Sequence, residues 1–304
     1  MLRRSLKMLV SNIGEFGLIE RIRRIAPVDR SVIQGIGDDC AVLPYTRGAY
    51  LLYTCDMLVE GVDFKSSDDP ALVGRKSLAV SLSDIASCGG VPRWCLVTIG
   101  LPKRSRVAQV EALYRGLARL AGKYAVSVVG GDISASPRLV IDVSVIGEVE
   151  KKKLVLRSGA RPGDIVFATG EFGGSIKGRH LSFEPRLDEA AFLTKRFKPS
   201  AMIDCSDGLS QDLGHILDAS RAGAVLYEEM IPVSKDARGL AGALEDGEDF
   251  ELIFTLDRRQ ASRLMKGSAA FTPIGEIVAR RRGYTIVDKH GRVRGLSRAG
   301  YRHF

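Results

Sequence analysis

Short β-branched runs alternate with helical patterns through the first half of the chain, and the apolar segments repeatedly meet an aspartate. LLYTCDMLV (51–59) reads as a strand running into Asp56. PALVGRKSLAVSLSDIASCGG (70–90) reads as a helix with Leu72, Lys76, Ala79, Leu82 and Ile85 on or near one face, stopped by Gly89, Gly90 and Pro92. WCLVTIGLP (94–102) is a strand, residues 106–125 form an amphipathic helix, and VSVVGGD (126–132) and RLVIDVSVIGEV (138–149) are further strands. The second half repeats the style with GDIVFATGEFGGS (163–175), a strand-to-helix unit at 201–223 and GEDFELIFTL (247–256) leading into another strand. Such mixing argues for an α/β or α+β sandwich rather than one all-parallel sheet. The basic turn EKKKLV (150–155) marks a boundary, giving expected domains of 1–149 and 150–304.

Six aspartates stand at the ends of apolar segments: Asp39 in GDDCAVL, Asp56 in YTCD, Asp84 in LSDIA, Asp132 in VVGGD, and Asp204 and Asp207 in IDCSDG. Singly, each has a local explanation. Asp207, for example, can N-cap the helix beginning at Gly208-Leu209. Brought together, they would raise one another's pKa and persist as anions only beside a cation. An all-oxygen donor set without Cys/His spacing favours Mg²⁺, and carboxylate-held Mg²⁺ suits a polyphosphate. There is no G-x-x-x-x-G-K-[ST] and no strand-following G-x-G-x-x-G. GEFGGS (170–175) offers backbone amides for a phosphate, a weak signal in isolation.

The net charge of +9 invites a nucleic-acid reading, but residues 31–257 hold 26 basic and 31 acidic side chains. The basicity sits at the two ends, without interleaved aromatics, so nucleic acid is not the expected partner. No apolar run reaches the ~18–20 residues of a membrane span, and no signal-peptide core follows the basic N-terminus, which points to the cytoplasm. Five cysteines without a C-x-x-C pair fit reduced thiols. A single Asn and four Gln suggest a thermophile, where intracellular disulfides also occur.

The sequence closely resembles thiamine-monophosphate kinases, in the superfamily of aminoimidazole ribonucleotide synthetase and selenophosphate synthetase. The resemblance runs from GEFGLI (14–19) through GIGDDCAVL, TCDMLVEGVDF, KSLAVSLSDIASCGG, VVGGD, RSGARPGD, IDCSDGLSQDLGHI and GEDFELIF to GYRHF. It implies a two-domain fold, an N-terminal β-sheet or barrel domain with helices and a C-terminal α/β sandwich. It also implies ATP-dependent phosphorylation of thiamine monophosphate, with several Mg²⁺ ions. Asp39, Thr54, Cys55, Asp56, Asp84, Asp132, Asp204 and Asp207 match the family's metal positions, and Asp39, Asp56, Asp84, Asp132 and Asp207 are the expected catalytic carboxylates. Gly131, Asp132, Arg157 and Ser206 match ATP positions; Glu248 and Tyr301 match the acceptor side, where Asp63 occupies a further substrate position.

Two positions depart from the family pattern. Cys55 stands where the family often has Thr, which a main-chain contact survives and a hydroxyl contact does not. Asp63 stands where many members have His. The resemblance further implies a homodimer joined through the N-terminal domains, with ATP in a cleft involving both domains. A selenophosphate synthetase would need a reactive cysteine in an N-terminal loop, and none precedes Cys40. A hydrogenase-maturation relative would end in a cysteine, whereas this chain ends in GYRHF. A regulatory module that binds nucleotide without turnover is the alternative outside enzymes. The phosphate acceptor is already anionic at neutral pH, so no general base is required; neutralisation and in-line alignment lower the barrier.

Overall fold

The computed structural model describes residues 9–301. The last three residues of GYRHF lie outside them. Helix α1 spans Gly14–Ile25 and is followed by β1 (Ala41–Pro44) and β2 (Ala49–Val59). Helix α2 spans Pro70–Ser87, β3 Val91–Leu101, α3 Val107–Lys123, β4 Ser127–Ala135 and β5 Val140–Glu150. These strands make a five-stranded sheet in the order β1-β2-β5-β3-β4, antiparallel except for the parallel β3–β4 pair. Among the described residues β4 does not pair with β1, whose outer edge meets only a short bridge from Gln34 to Val42, so the first unit is an open sheet rather than a closed barrel.

The second unit adds β6 (Ile165–Thr169), α4 (Leu187–Arg196), β7 (Ala201–Asp204), α5 (Leu209–Ser220) and β8 (Ala222–Tyr227). Helix α6 (Gly239–Glu245), β9 (Leu252–Leu256), α7 (Arg258–Gly267), β10 (Phe271–Ala279), β11 (Tyr284–Val287) and β12 (Val293–Gly295) complete it. Its seven strands run in the order β12-β11-β8-β10-β6-β9-β7, with β11–β8 the parallel pair. Among the described residues no helix is long and apolar enough to cross a membrane.

Helix α2 is the hinge of the arrangement. Asp69 caps it by accepting from Ala71 N at 2.8 Å, Pro70 supplies a fixed φ at its first turn, and Gly89 at φ +71° follows its end. It is not amphipathic: from Val73 to Ser87 nearly every residue is buried. One continuous core explains this, since Leu78, Leu82 and Ile85 of α2 join Val97, Ile141 and Val143 of the first sheet and Phe167, Met202 and Phe254 of the second. Two glycines let α2 and α3 approach closely. A Cβ on Gly116 would lie 1.8 Å from the Ala71 carbonyl oxygen, and one on Gly74 would lie 2.0 Å from that of Leu113.

The outer face of the second sheet is covered by α5 and α6 through Ile203, Leu213, Leu217 and Ala243. The outer face of the first sheet has no such cover among the described residues. Tyr53, Met57, Trp94 and Leu96 are there 43%, 59%, 38% and 44% exposed. Four large apolar side chains on one sheet face form the kind of patch that marks an interaction surface.

Candidate active site

Strand alternation decides which carboxylates of β2 meet α2. Thr54, Asp56 and Leu58 face inward, while Tyr53, Cys55 and Met57 face outward. Asp56 Oδ2 accepts from Ser81 Oγ of α2 at 2.6 Å, and Thr54 Oγ1 donates to Asp84 Oδ2. Asp84 sits half-buried near the C-terminal end of this buried helix. Three residues later Ser87 Oγ donates to Asp39 Oδ2 at 2.5 Å. Asp204 ends β7 and comes in from the second sheet. One oxygen from each of Asp39, Asp84 and Asp204 lies within 4.8 Å of the others.

This cluster is under electrostatic tension. Burial, with the charges of Asp56, Asp204 and Asp39, pushes the Asp84 carboxyl well above the ordinary range. Burial and Asp39 push Asp204 up to about 8, and burial, against a favourable bond from Ser81, leaves Asp56 at about 6. Burial works against the Arg157 charge, but Asp39, Asp38 and Asp204 outweigh it and raise its pKa. Arg157 donates from Nε to Asp39 Oδ1 at 2.9 Å and from Nη2 to the same oxygen. Asp38 takes the turn-supporting part: it accepts from the backbone N–H of Asp39 and of Arg157, each at 3.1 Å. A cavity of about 330 Å³ opens beside this pair, lined among others by Arg23, Gln34, Asp38, Arg157 and His215.

The acceptor-side residues are tied to the metal-side loop by backbone bonds. Cys205 N donates to Glu251 O at 2.7 Å, Phe250 N to Cys205 O at 2.7 Å, and Glu248 N to Ser206 O at 2.6 Å. Glu248 and Phe250 hold φ of +63° and +53°, a left-handed conformation costing on the order of 1–2 kcal/mol per non-glycine residue. Surrounding bonds hold the loop in this form: Asp249 accepts from Gly173 N at 2.7 Å and from Arg179 at 2.6 Å. The chain end is strapped on as well, with Tyr301 N donating to Asp207 O at 2.9 Å and Ser210 Oγ to Ala299 O at 2.5 Å. Gly300 permits this, because a Cβ there would lie 2.4 Å from the Asp207 carbonyl oxygen. Tyr301 comes within electrostatic reach of Asp63 and Glu248.

Several expected roles are relocated. The Cys55 side chain emerges on the outer face, opposite Thr54 and Asp56, so its thiol is not part of the cluster. Asp132 shares a cross-strand row with Thr98, Asp142 and Met57, whereas Asp56 shares the next row with Val143, Val97 and Gly131. Asp132 therefore projects from the outer face and is exposed, away from the other five aspartates of its own chain. Asp207 makes no cap bond to α5; Asp212, in the helix's first turn, reaches back to accept from Asp207 N at 2.9 Å and Gly208 N at 3.1 Å. Asp63 turns its carboxylate onto Val59 N at 2.7 Å. The GEFGGS amides are engaged internally, Gly173 N with Asp249 and Gly174 N with Asp246, so this loop is not a phosphate cradle.

Residues not singled out by pattern also appear. Ser81 and Ser87 present hydroxyls to Asp56 and Asp39, and their spacing from Asp84 on one helix was the available signal. Lys76 is wholly buried and bonds the Asp63 carbonyl at 2.7 Å and the Glu248 carboxylate.

A two-sheet fold with oxygen donors converging where α2 meets both sheets defines a class, the proteins related to aminoimidazole ribonucleotide synthetase. Residues 37–149 match the family described as AIR synthase related protein, N-terminal domain. More narrowly, the chain belongs to the thiamine-monophosphate kinase family. It is 35% identical to the thiamine-monophosphate kinase of Bacillus subtilis, covering 95% of this chain and 99% of that protein. It is 38% identical to the one of Rhodopirellula baltica over 82% and 84% of the two chains. A solved structure described as AaThiL complexed with AMPPCP and TMP superposes with a TM-score of 0.85 at 32% identity, covering 98% of this chain and 99% of that one.

Proposed function

We propose that this protein transfers the γ-phosphoryl group of ATP directly to thiamine monophosphate, giving thiamine diphosphate and ADP. The observation that carries the reading is the convergence of Asp39, Asp84 and Asp204 beside Asp56 and Arg157, next to a loop bearing Glu248. The relative holding AMPPCP and TMP supports the same pair of substrates.

The donor set fits a hard divalent cation. Its buried carboxylates carry raised pKa values, a state that bound cations relieve, and every donor side chain in the inner cluster offers oxygen. Asp39, Thr54, Asp56, Asp84, Asp204 and Asp207 would hold Mg²⁺, which supplies neutralisation of the ATP phosphates. Arg157 and Asp38 shape the rim of the adjoining cavity, Arg157 and Ser206 meet the nucleotide, and the Glu248 loop with Tyr301 orients the acceptor. Because the acceptor oxygen is anionic, these residues act by aligning the two phosphates in line and excluding water.

A homodimer completes the account. The uncovered face bearing Tyr53, Met57, Trp94 and Leu96 pairs with a second copy of itself. Gly131 and Asp132, on the open β4 edge, then serve a nucleotide site from across the dimer.

The test is product analysis with ATP, Mg²⁺ and thiamine monophosphate, alongside thiamine and no-acceptor controls. Thiamine diphosphate and ADP in equal amounts, formed with the monophosphate alone, are expected. ATP binding without diphosphate formation would sink the assignment of the acceptor.

A further inference from the structure

A buried lysine links the two halves of the acceptor side. Lys76 lies on α2 with no exposed surface, among the largest fully buried side chains of the described residues. A buried ammonium is tolerated only where it is paired and hydrogen-bonded. Its Nζ donates at 2.7 Å to the main-chain oxygen of Asp63, in the turn after β2, and it pairs with the Glu248 carboxylate. The first contact lies within the first unit and the second reaches a loop of the other. On the far side of Glu248, His180 Nδ1 stands 3.5 Å from the second carboxylate oxygen. Burial and the Lys76 charge hold that imidazole at a pKa of about 4, so Glu248 meets it as a neutral ring at pH 7. Glu248 itself sits in a left-handed backbone conformation that its surroundings must maintain.

We infer that Lys76 is a positioning residue for the phosphate acceptor, fixing Glu248 and the Asp63 turn in register across the two units rather than touching the substrate. The inference rests on the reading of Glu248 and Asp63 as acceptor-side residues. A residue that acts through the acceptor pocket affects acceptor affinity and leaves nucleotide affinity alone.

The experiment compares wild type, Lys76→Met, Glu248→Gln and the double variant Lys76→Met/Glu248→Gln in steady-state kinetics with each substrate varied. Lys76→Met is expected to raise the KM for thiamine monophosphate at least ~10-fold, with kcat and the KM for ATP within about threefold of wild type. The double variant is expected to match Glu248→Gln within about twofold, because the two residues act as one unit. The double variant removes both charges of the pair, so the comparison survives if Lys76→Met alone does not fold. A fall in kcat at unchanged acceptor KM, an equal rise in both KM values, or multiplicative single-variant effects in the double variant would overturn the inference. Failure of the wild type to turn over thiamine monophosphate would be seen before any variant is compared; it would remove the functional reading and this inference with it.

Discussion

Replacing Asp204 by Asn should stabilise the metal-free protein while abolishing its response to Mg²⁺. Burial and Asp39 hold the folded-state pKa of Asp204 at about 8, against 3.8 for an unperturbed aspartate. A carboxyl whose pKa is raised on folding contributes its full stability below the unfolded value, and that contribution drains away as pH rises towards the folded value. At pH 7 the folded state must keep a proton that the unfolded chain gives up, over about three pKa units. The cost is a few kcal/mol at pH 7 and smaller at pH 5. Asn keeps the shape without the ionisation, so most of that cost disappears. The assay is urea unfolding in EDTA at pH 5 and pH 7. Asp204→Asn should be the more stable protein at both, with the gap over wild type widening at pH 7. Adding Mg²⁺ with an ATP analogue should stabilise wild type and leave the variant unmoved. A variant less stable than wild type at pH 7 in EDTA would refute the reasoning, as would a gap that narrows from pH 5 to pH 7.

Asp56→Asn and Asp84→Asn should each lower kcat at least ~100-fold, about 3 kcal/mol of transition-state stabilisation; unchanged turnover at saturating Mg²⁺ would remove these residues from the metal set. Gly116→Ala would press a methyl group into the Ala71 carbonyl and should cost roughly 1–3 kcal/mol, read as a lowered urea midpoint. Gly300→Ala should dislodge the chain end from the Asp207 carbonyl and raise the acceptor KM with little change in melting temperature. Leu96→Arg should yield a monomer by analytical ultracentrifugation. The emission of Trp94, the chain's single tryptophan, should shift to the red as that face becomes hydrated.

Much of the fold was legible because the apolar period differs between strands and helices. The helix expected over 70–90 spans Pro70–Ser87, and the strand expected over 138–149 spans Val140–Glu150. The carboxylates were legible as segment-end aspartates, and Asp39, Asp84 and Asp204 do converge. What sequence could not supply was the face on which each side chain emerges. Two neighbouring rows of one sheet separate Asp132 from Asp56, and that parity depends on the pairing of β2, β5, β3 and β4. The capping alternative for Asp207 turns on a related point: Asp207 and Asp212 both stand at the start of α5, and only the turn geometry decides which carboxylate reaches back to the amides. Lys76 lay on the apolar face of its predicted helix, an anomaly whose meaning required the partner loop 172 residues away. The glycines of 170–175 looked available until Asp246 and Asp249 met their amides.

The most direct test of phosphoryl transfer at this cluster is anomalous diffraction from crystals grown with Mn²⁺, a non-hydrolysable ATP analogue and thiamine monophosphate. Metal peaks among Asp39, Asp84 and Asp204, with the γ-phosphate directed at the acceptor phosphate near Glu248, are expected. Peaks elsewhere with this cluster empty, or an acceptor bound away from the Glu248 loop, would contradict it.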